Sequence, residues 1–177
     1  VIVHSNNSFI NAVNNQPVSN LSVGSQLSDL VEAINIFNID GNIISPNGNN
    51  LNINKSVGSI FKQGSNFVND PTNPNETTLS TLTAPSNIRH RLFNGTEYGD
   101  TSLIDVNNYD LNGVLTNIPD RKFVIQRVYI FQSNLIRIQY GQQIYTSMDN
   151  ALNAIQSEIF VVENNIGENG LLRGFLV

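Results

Sequence analysis

Between Val124 and Tyr145 the chain reads VIQRVYIFQSNLIRIQYGQQIY. Val124, Val128, Ile130, Ile136, Ile138 and Tyr140 hold the even positions, and Arg127, Arg137 and Gln139 fall on odd ones. A period of two is strand spacing. A two-residue connection at Ser133-Asn134 would set Ile130 against Arg137 and mix the faces. A three-residue connection, Gln132 to Asn134, sets Ile130 against Ile136 and Val128 against Ile138, keeping one face apolar. The pattern therefore predicts a hairpin with the longer turn and Asn134 in the left-handed region. Its second face carries Arg127 and Arg137, with Tyr129 opposite Arg137 as an expected cation-π pair.

Helical spacing occurs twice. In SQLSDLVEAI, Leu27, Leu30, Val31 and Ile34 share one helical face, with Ser25 or Ser28 as N-cap. In TSMDNALNAIQSEI, Met148, Ala151, Leu152, Ile155 and Ile159 do the same, and Thr146 with Asp149 forms a capping-box variant. Residues 35–68 alternate in short runs broken by Asp40-Gly41 and Asn47-Gly48, which predicts a meander of short strands. Pro71 and Pro74 make residues 69–78 an exposed loop. Asn112-Gly113 and Pro119 mark further turns. The closing FVVENNIGENGLLRGFLV reads as two strands around Gly-Glu-Asn-Gly.

These elements define an α+β chain that is predominantly β, with short antiparallel strands, hairpins and two short amphipathic helices. Three segments follow: 1–36 with a short helix and an expected attachment role, a β-rich 37–120 with its loop near 69–78, and 121–177 as hairpin, helix, hairpin.

Composition narrows the chemistry. The 177 residues contain no cysteine, so disulfides and thiolate metal sites are excluded. Only His4 and His90 could contribute imidazole, too few for a multi-histidine zinc site within one chain. A net charge of -5 with nine basic residues argues against a nucleic-acid partner. No run approaches the roughly 20 apolar residues of a membrane-spanning helix, and VIVHSNNSF lacks the features of a signal peptide. Charged residues make up 13%, while asparagine fills 30 positions. That surface suits a protein that buries itself against copies or partners, because a buried amide costs less to desolvate than an ion; codon bias toward asparagine explains it equally well. The absence of an initial Met and the apolar end LLRGFLV fit a segment of something longer.

No catalytic constellation is specified. GxSxG does not occur, and His90 lies between Arg89 and Arg91 on what reads as a strand. Glu97, Asp100, Asp105, Asp110 and Asp120 have no spacing that selects a glycosidase pair or a cation site. DPTNPNE (70–76) lacks the alternating ligands and central glycine of a calcium loop. Asn54, Asn75 and Asn94 open N-x-S/T triplets, which this asparagine density produces by chance. Phe93, Tyr98, Tyr109, Tyr129 and Tyr145 are read as core or interface anchors before sugar platforms.

Several weak motifs in order carry a resemblance. Asn73-Pro74-Asn75 is followed by IDVNNYDLNG (Ile104 to Gly113), IQRVYIF (Ile125 to Phe131), QYGQQIY (Gln139 to Tyr145) and LRGFLV (Leu172 to Val177). This order, over about three quarters of the chain, resembles a segment of tail-fibre and related appendage proteins of tailed bacteriophages. The resemblance implies a structural segment of a virion, homotrimeric, whose adjoining regions attach to neighbouring virion proteins or contact a host glycan or receptor. It implies an extracellular particle assembled in the host cytoplasm, no enzyme activity, no cofactor and no catalytic or metal residues. Arg127, Tyr129, Arg137, Tyr140, Tyr145 and Arg173 are the candidate subunit-interface residues. A carbohydrate-binding or adhesin module is the first alternative and a glycan hydrolase the second.

Overall fold

The computed structural model describes residues 2–4, 10–12 and 22–177, which fall into two units, 1–33 and 34–177. In the first, β1 (Ile2–His4) pairs antiparallel with β2 (Ile10–Ala12), and α1 (Val23–Ile34) follows. The helix begins before the predicted serines. Ser22 Oγ accepts from the Ser25 N–H at 3.1 Å, so Ser22 is the capping residue in place of Ser25 or Ser28.

The second unit is built mainly from β3 (Phe37–Gly41), β4 (Ile44–Pro46), β5 (Ile53–Lys55), β6 (Gly58–Phe61), β7 (Glu76–Leu79), β8 (Leu82–Thr83) and β9 (Ile88–Arg91). Then come β10 (Glu97–Thr101), β11 (Asn108–Leu111), β12 (Val114–Asn117), β13 (Gln126–Phe131) and β14 (Ile136–Gln139). The helices α2 (Met148–Ala154) and α3 (Asn164–Asn169) precede β15 (Gly170–Leu176). A five-stranded sheet runs in the order β10-β9-β14-β13-β15. It is antiparallel except where β14 runs parallel to β9. Two three-stranded sheets, β3-β6-β7 and β4-β5-β8, and the hairpin β11-β12 complete the unit. The chain is thus predominantly β with three short helices. Strands from before and after residue 120 share the large sheet.

Its centre is the hairpin predicted from periodicity. Ile130 pairs with Ile136, Val128 with Ile138 and Tyr129 with Arg137. Asn134 has φ 61°, its N–H donates to Phe131 O at 2.8 Å, and its Nδ2 donates to Ser80 O at 3.1 Å. Val128, Ile130, Ile136 and Ile138 form one buried cluster with Ile88 of β9, Ile53 and Ile60 of the smaller sheets, Ile36, Leu79 and Ile104.

Four expectations are corrected. FVV forms no strand: residues 160–162 are irregular, and Glu163 caps a third helix, accepting from the Asn165 and Ile166 N–H groups. A carboxylate placed to cap two successive N–H groups outweighed the β-branched run. The helix predicted over 146–159 stops at Ala154, and its cap is Ser147, which accepts from Asn150 N, while Thr146 only accepts from the Asn150 side chain. Residues 76–78 belong to β7, because β6 supplies a ladder partner for each of them. The Asp40-Gly41 turn does not return β3 along itself. Gly41 (φ 53°) and Asn42 (φ 55°) turn the chain from one small sheet into the other, and a Cβ on Gly41 would lie 2.1 Å from Val57 O.

Candidate functional site

Alternation along the large sheet sends the second set of side chains to the face opposite the isoleucines, and that face is a layer of charge. Arg89 and Arg91 of β9, Arg137 and Gln139 of β14, and Arg127 and Tyr129 of β13 come from adjacent strands. Each arginine meets a carboxylate. Glu97 of β10 sits 2.7 Å from Arg89 Nη1, 2.9 Å from Arg91 Nε and 2.9 Å from Arg137 Nε. Asp100 takes Arg89 Nε at 2.5 Å, and Glu163 takes Arg91 Nη1 at 2.9 Å. Glu158 Oε1 lies 2.6 Å from Arg127 Nη1 as an ion pair, without the alignment of a hydrogen bond. Four guanidinium groups thus meet four carboxylates.

The segment between α2 and α3 covers this layer. Phe160 lies flat under the Arg127 guanidinium, 3.5 Å from ring centroid to Cζ, with Phe175 at 5.5 Å. Cation-π contacts therefore belong to Arg127, in place of the expected Tyr129–Arg137 pair. Gln139 and Gln142 each donate to Val161 O, and Tyr145 donates to Glu158 Oε2 at 2.5 Å. Burial, the Glu158 hydrogen bond and the Glu158 charge together push the Tyr145 phenol up to about 12. Burial works to raise the Glu97 carboxyl, but hydrogen bonds from Arg89 and Arg91 and the nearby guanidinium charges outweigh it, so the group is held low. Glu163 is held low in the same way, by its capped N–H groups and by Arg91 against burial.

Of the candidate interface residues, Arg127, Tyr129, Arg137 and Tyr140 are buried within the chain itself. Tyr145 is half-buried on Glu158. Arg173, also half-buried, donates to Gly41 O and Asn42 O, each at 3.0 Å. Pattern reading missed Glu158, Phe160 and Glu163, because they lie in an irregular stretch with no period. The matching of arginines by glutamates was the only trace they left in composition.

His90 lies on the core side of β9, nearly fully buried. Its Nε2 accepts from the Asp105 N–H at 3.1 Å, and its ring lies 5.3 Å from that of Tyr140, whose hydroxyl donates to Asp105 Oδ2 at 2.8 Å. Burial lowers the imidazole pKa, with Asp105 opposing, which favours the neutral ring whose Nε2 accepts this hydrogen bond. An open groove of about 410 Å³ passes this cluster, lined also by Tyr98, Thr101, Leu103 and Asn107. Tyr98 is half-buried there and meets Tyr140 edge-on at 6.2 Å.

Two further acids, Asp110 and Asp70, are engaged locally. Asp110, fully buried, accepts from Phe93 N and Gly113 N, each at 2.6 Å, and so fixes the Asn112-Gly113 turn. Asp70 accepts from Thr72 N and Asn73 N within its own loop. Among the described residues, no group of three or more His, Asp or Glu side chains is placed to hold a metal ion. The described part of His4 is its backbone in β1. Lys55 is fully buried without a carboxylate; Nζ donates to Asn42 Oδ1 at 3.0 Å and to Ser56 O at 2.9 Å, and burial lowers its pKa. A second cleft, of about 590 Å³, opens between the β4–β5 hairpin and the end of β15. No family model, curated protein or solved structure matches the chain.

Proposed function

We propose that the chain is a structural segment of a virion appendage, a tail-fibre-like module that assembles with copies of itself, as a homotrimer, and tethers or displays a host-contacting region. The observation that carries this reading is a contrast in where polarity and apolarity sit. Charges of the large sheet are neutralised within the chain, while large apolar side chains remain outside. On α1, which has no buried residue, Leu27, Leu30 and Ile34 are about half exposed or more. In the second unit, Phe67 and Val68 are 63% and 92% exposed, and Ile43, Val57 and Val106 are also exposed. We read these exposed apolar side chains as the surfaces through which copies of the chain meet. A scaffold needs this arrangement: rigid protomers held internally by ion pairs, joined by apolar contacts. Sedimentation equilibrium of the intact protein tests it. A trimer stable at micromolar concentration is the expected result, and a monomer at all concentrations overturns it.

A second reading, a carbohydrate-binding module, is favoured by one observation. Tyr98, Thr101 and Asn107 converge on the open groove beside Tyr140, offering a ring and hydrogen-bonding groups together. A glycan array probed with the protein and with Tyr98→Ala separates it from a purely mechanical role.

A further inference from the structure

We infer that the turn joining β4 to β5 is a site of spontaneous self-modification: Asn47 cyclises onto the Gly48 nitrogen and is converted to aspartate and isoaspartate, while the fold protects the other Asn-Gly pairs. Those others are Asn94-Gly95, Asn112-Gly113 and Asn169-Gly170. The reaction uses only water. Hydroxide or water removes the proton from the glycine N–H, the nitrogen attacks the asparagine Cγ, and the side-chain amide leaves as ammonia after taking a proton from water. Water then opens the cyclic imide at either carbonyl, so that amide and water become carboxylate and ammonium. Glycine suits this chemistry because no side chain crowds the attacking nitrogen.

The state of that N–H separates the pairs. Gly95 donates to Leu92 O at 3.1 Å. Gly113 donates to Asp110 Oδ1 at 2.6 Å, and taking its proton would set an anion against a fully buried carboxylate. Gly170 donates to Ile166 O at the end of α3. Gly48 donates to nothing among the described residues, is exposed, and has no atom beyond its chain neighbours within 4 Å of the place a Cβ would take. Its N–H is open to base and its turn has room to swing. Asn47 is prepared at the other end. Its Oδ1 accepts from Asn50 Nδ2 at 3.1 Å, which draws electron density from Cγ, and its Nδ2 donates to Asn54 Oδ1 at 2.8 Å. The product lacks that donor. Asn54 Oδ1 also accepts the Ala84 N–H at 3.2 Å, so a carboxylate at position 47 sets two acceptors against each other, in a turn whose Gly48 and Asn49 line the cleft beside β15.

Ageing the intact chain at mildly alkaline pH, with its peptides mapped by mass spectrometry, tests this. In the folded protein the peptide holding Asn47 is expected to gain the amide-to-acid mass difference at least about tenfold faster than those holding Asn94, Asn112 or Asn169. In guanidinium chloride, where no N–H is held, all of these rates should fall within about threefold of one another. Conversion of Asn94, Asn112 or Asn169 as fast as Asn47 in the folded chain overturns the inference. So does an Asn47 that keeps its amide in the folded chain while the unfolded chain converts. A preference for Asn47 that persists undiminished in the unfolded chain overturns it equally, since local sequence and not the fold would then decide.

Discussion

The two faces of the large sheet are both buried, yet they are closed by different physics. On one face Val128, Ile130, Ile136 and Ile138 meet Ile53 and Ile60 of the smaller sheets, and contact is non-directional. On the other, Arg91, Arg127 and Arg137 are closed over by Glu97, Glu158, Glu163 and Phe160, and every contact depends on geometry. An apolar face tolerates whatever of the right volume covers it. A buried charged face requires particular partners, because an uncompensated guanidinium costs several kcal/mol. That difference explains why the covering over the charges is an irregular segment pinned at each carboxylate instead of a further sheet.

Removing one charge from the buried pair tests the contrast hardest. Glu158→Ala leaves Arg127 enclosed without its anion and is expected to destabilise the protein by about 3–5 kcal/mol, read from urea unfolding. Replacing both partners, Arg127→Met with Glu158→Leu, should recover most of that loss. If the single and double variants are equally unstable, the face is held by packing and the contrast fails. On the apolar face Ile138→Ala, at a fully buried position, should cost about 2–5 kcal/mol in the same assay, with no second-site charge change able to restore it.

The turn joining β13 and β14 contributes less. Asn134→Ala places a side chain with no local hydrogen bond at φ 61° and removes the donation to Ser80, for an expected loss of about 1–2 kcal/mol by chemical denaturation. Asn134→Gly should lose less than Asn134→Ala, since glycine accepts the backbone conformation.

Acid should reveal the groups that burial and pairing perturb. His90 is held neutral, with its pKa below the ordinary 6.5, so the unfolded chain binds the extra proton first. Its stabilisation is therefore complete above pH 6.5 and is lost as pH falls toward the depressed value. Glu97 and Glu163, also depressed, contribute above their ordinary 4.5 and lose that contribution on further acidification. Unfolding midpoints should decline in two stages, and His90→Asn should flatten the first while leaving the second. A single-stage decline in the wild type would show that His90 does not contribute. The smallest effect belongs to Asp100, which is largely exposed beside Arg89: Asp100→Asn should leave the unfolding midpoint unchanged, and a clear drop would extend the rigid charged layer to the sheet edge.

How much of this was legible beforehand differs by region in the same way. Period-two alternation specified the β13–β14 register to the residue, including the Gln132-Ser133-Asn134 connection, because a slip by one position would have set isoleucines against arginines on the same face. The helix at 23–34 was legible from its apolar spacing, although its cap was misplaced. The candidate site was legible only as a set of arginines on one face. Their partners were not, since Glu158 and Glu163 lie 31 and 72 positions beyond Arg127 and Arg91, the arginines they meet, and share no period with them.

By itself, then, the order of residues determined the strand faces, the hairpin register and the predominance of β structure, because those follow from local geometry and from burying apolar side chains. Tertiary structure alone decided that the arginine face is interior and that Tyr140 stands beside His90 and Asp105. Those outcomes depend on pairing β14 with β9, a parallel contact across 47 intervening residues between Arg89 and Arg137. No local pattern encodes which distant carboxylate will be present when a charge is taken out of water.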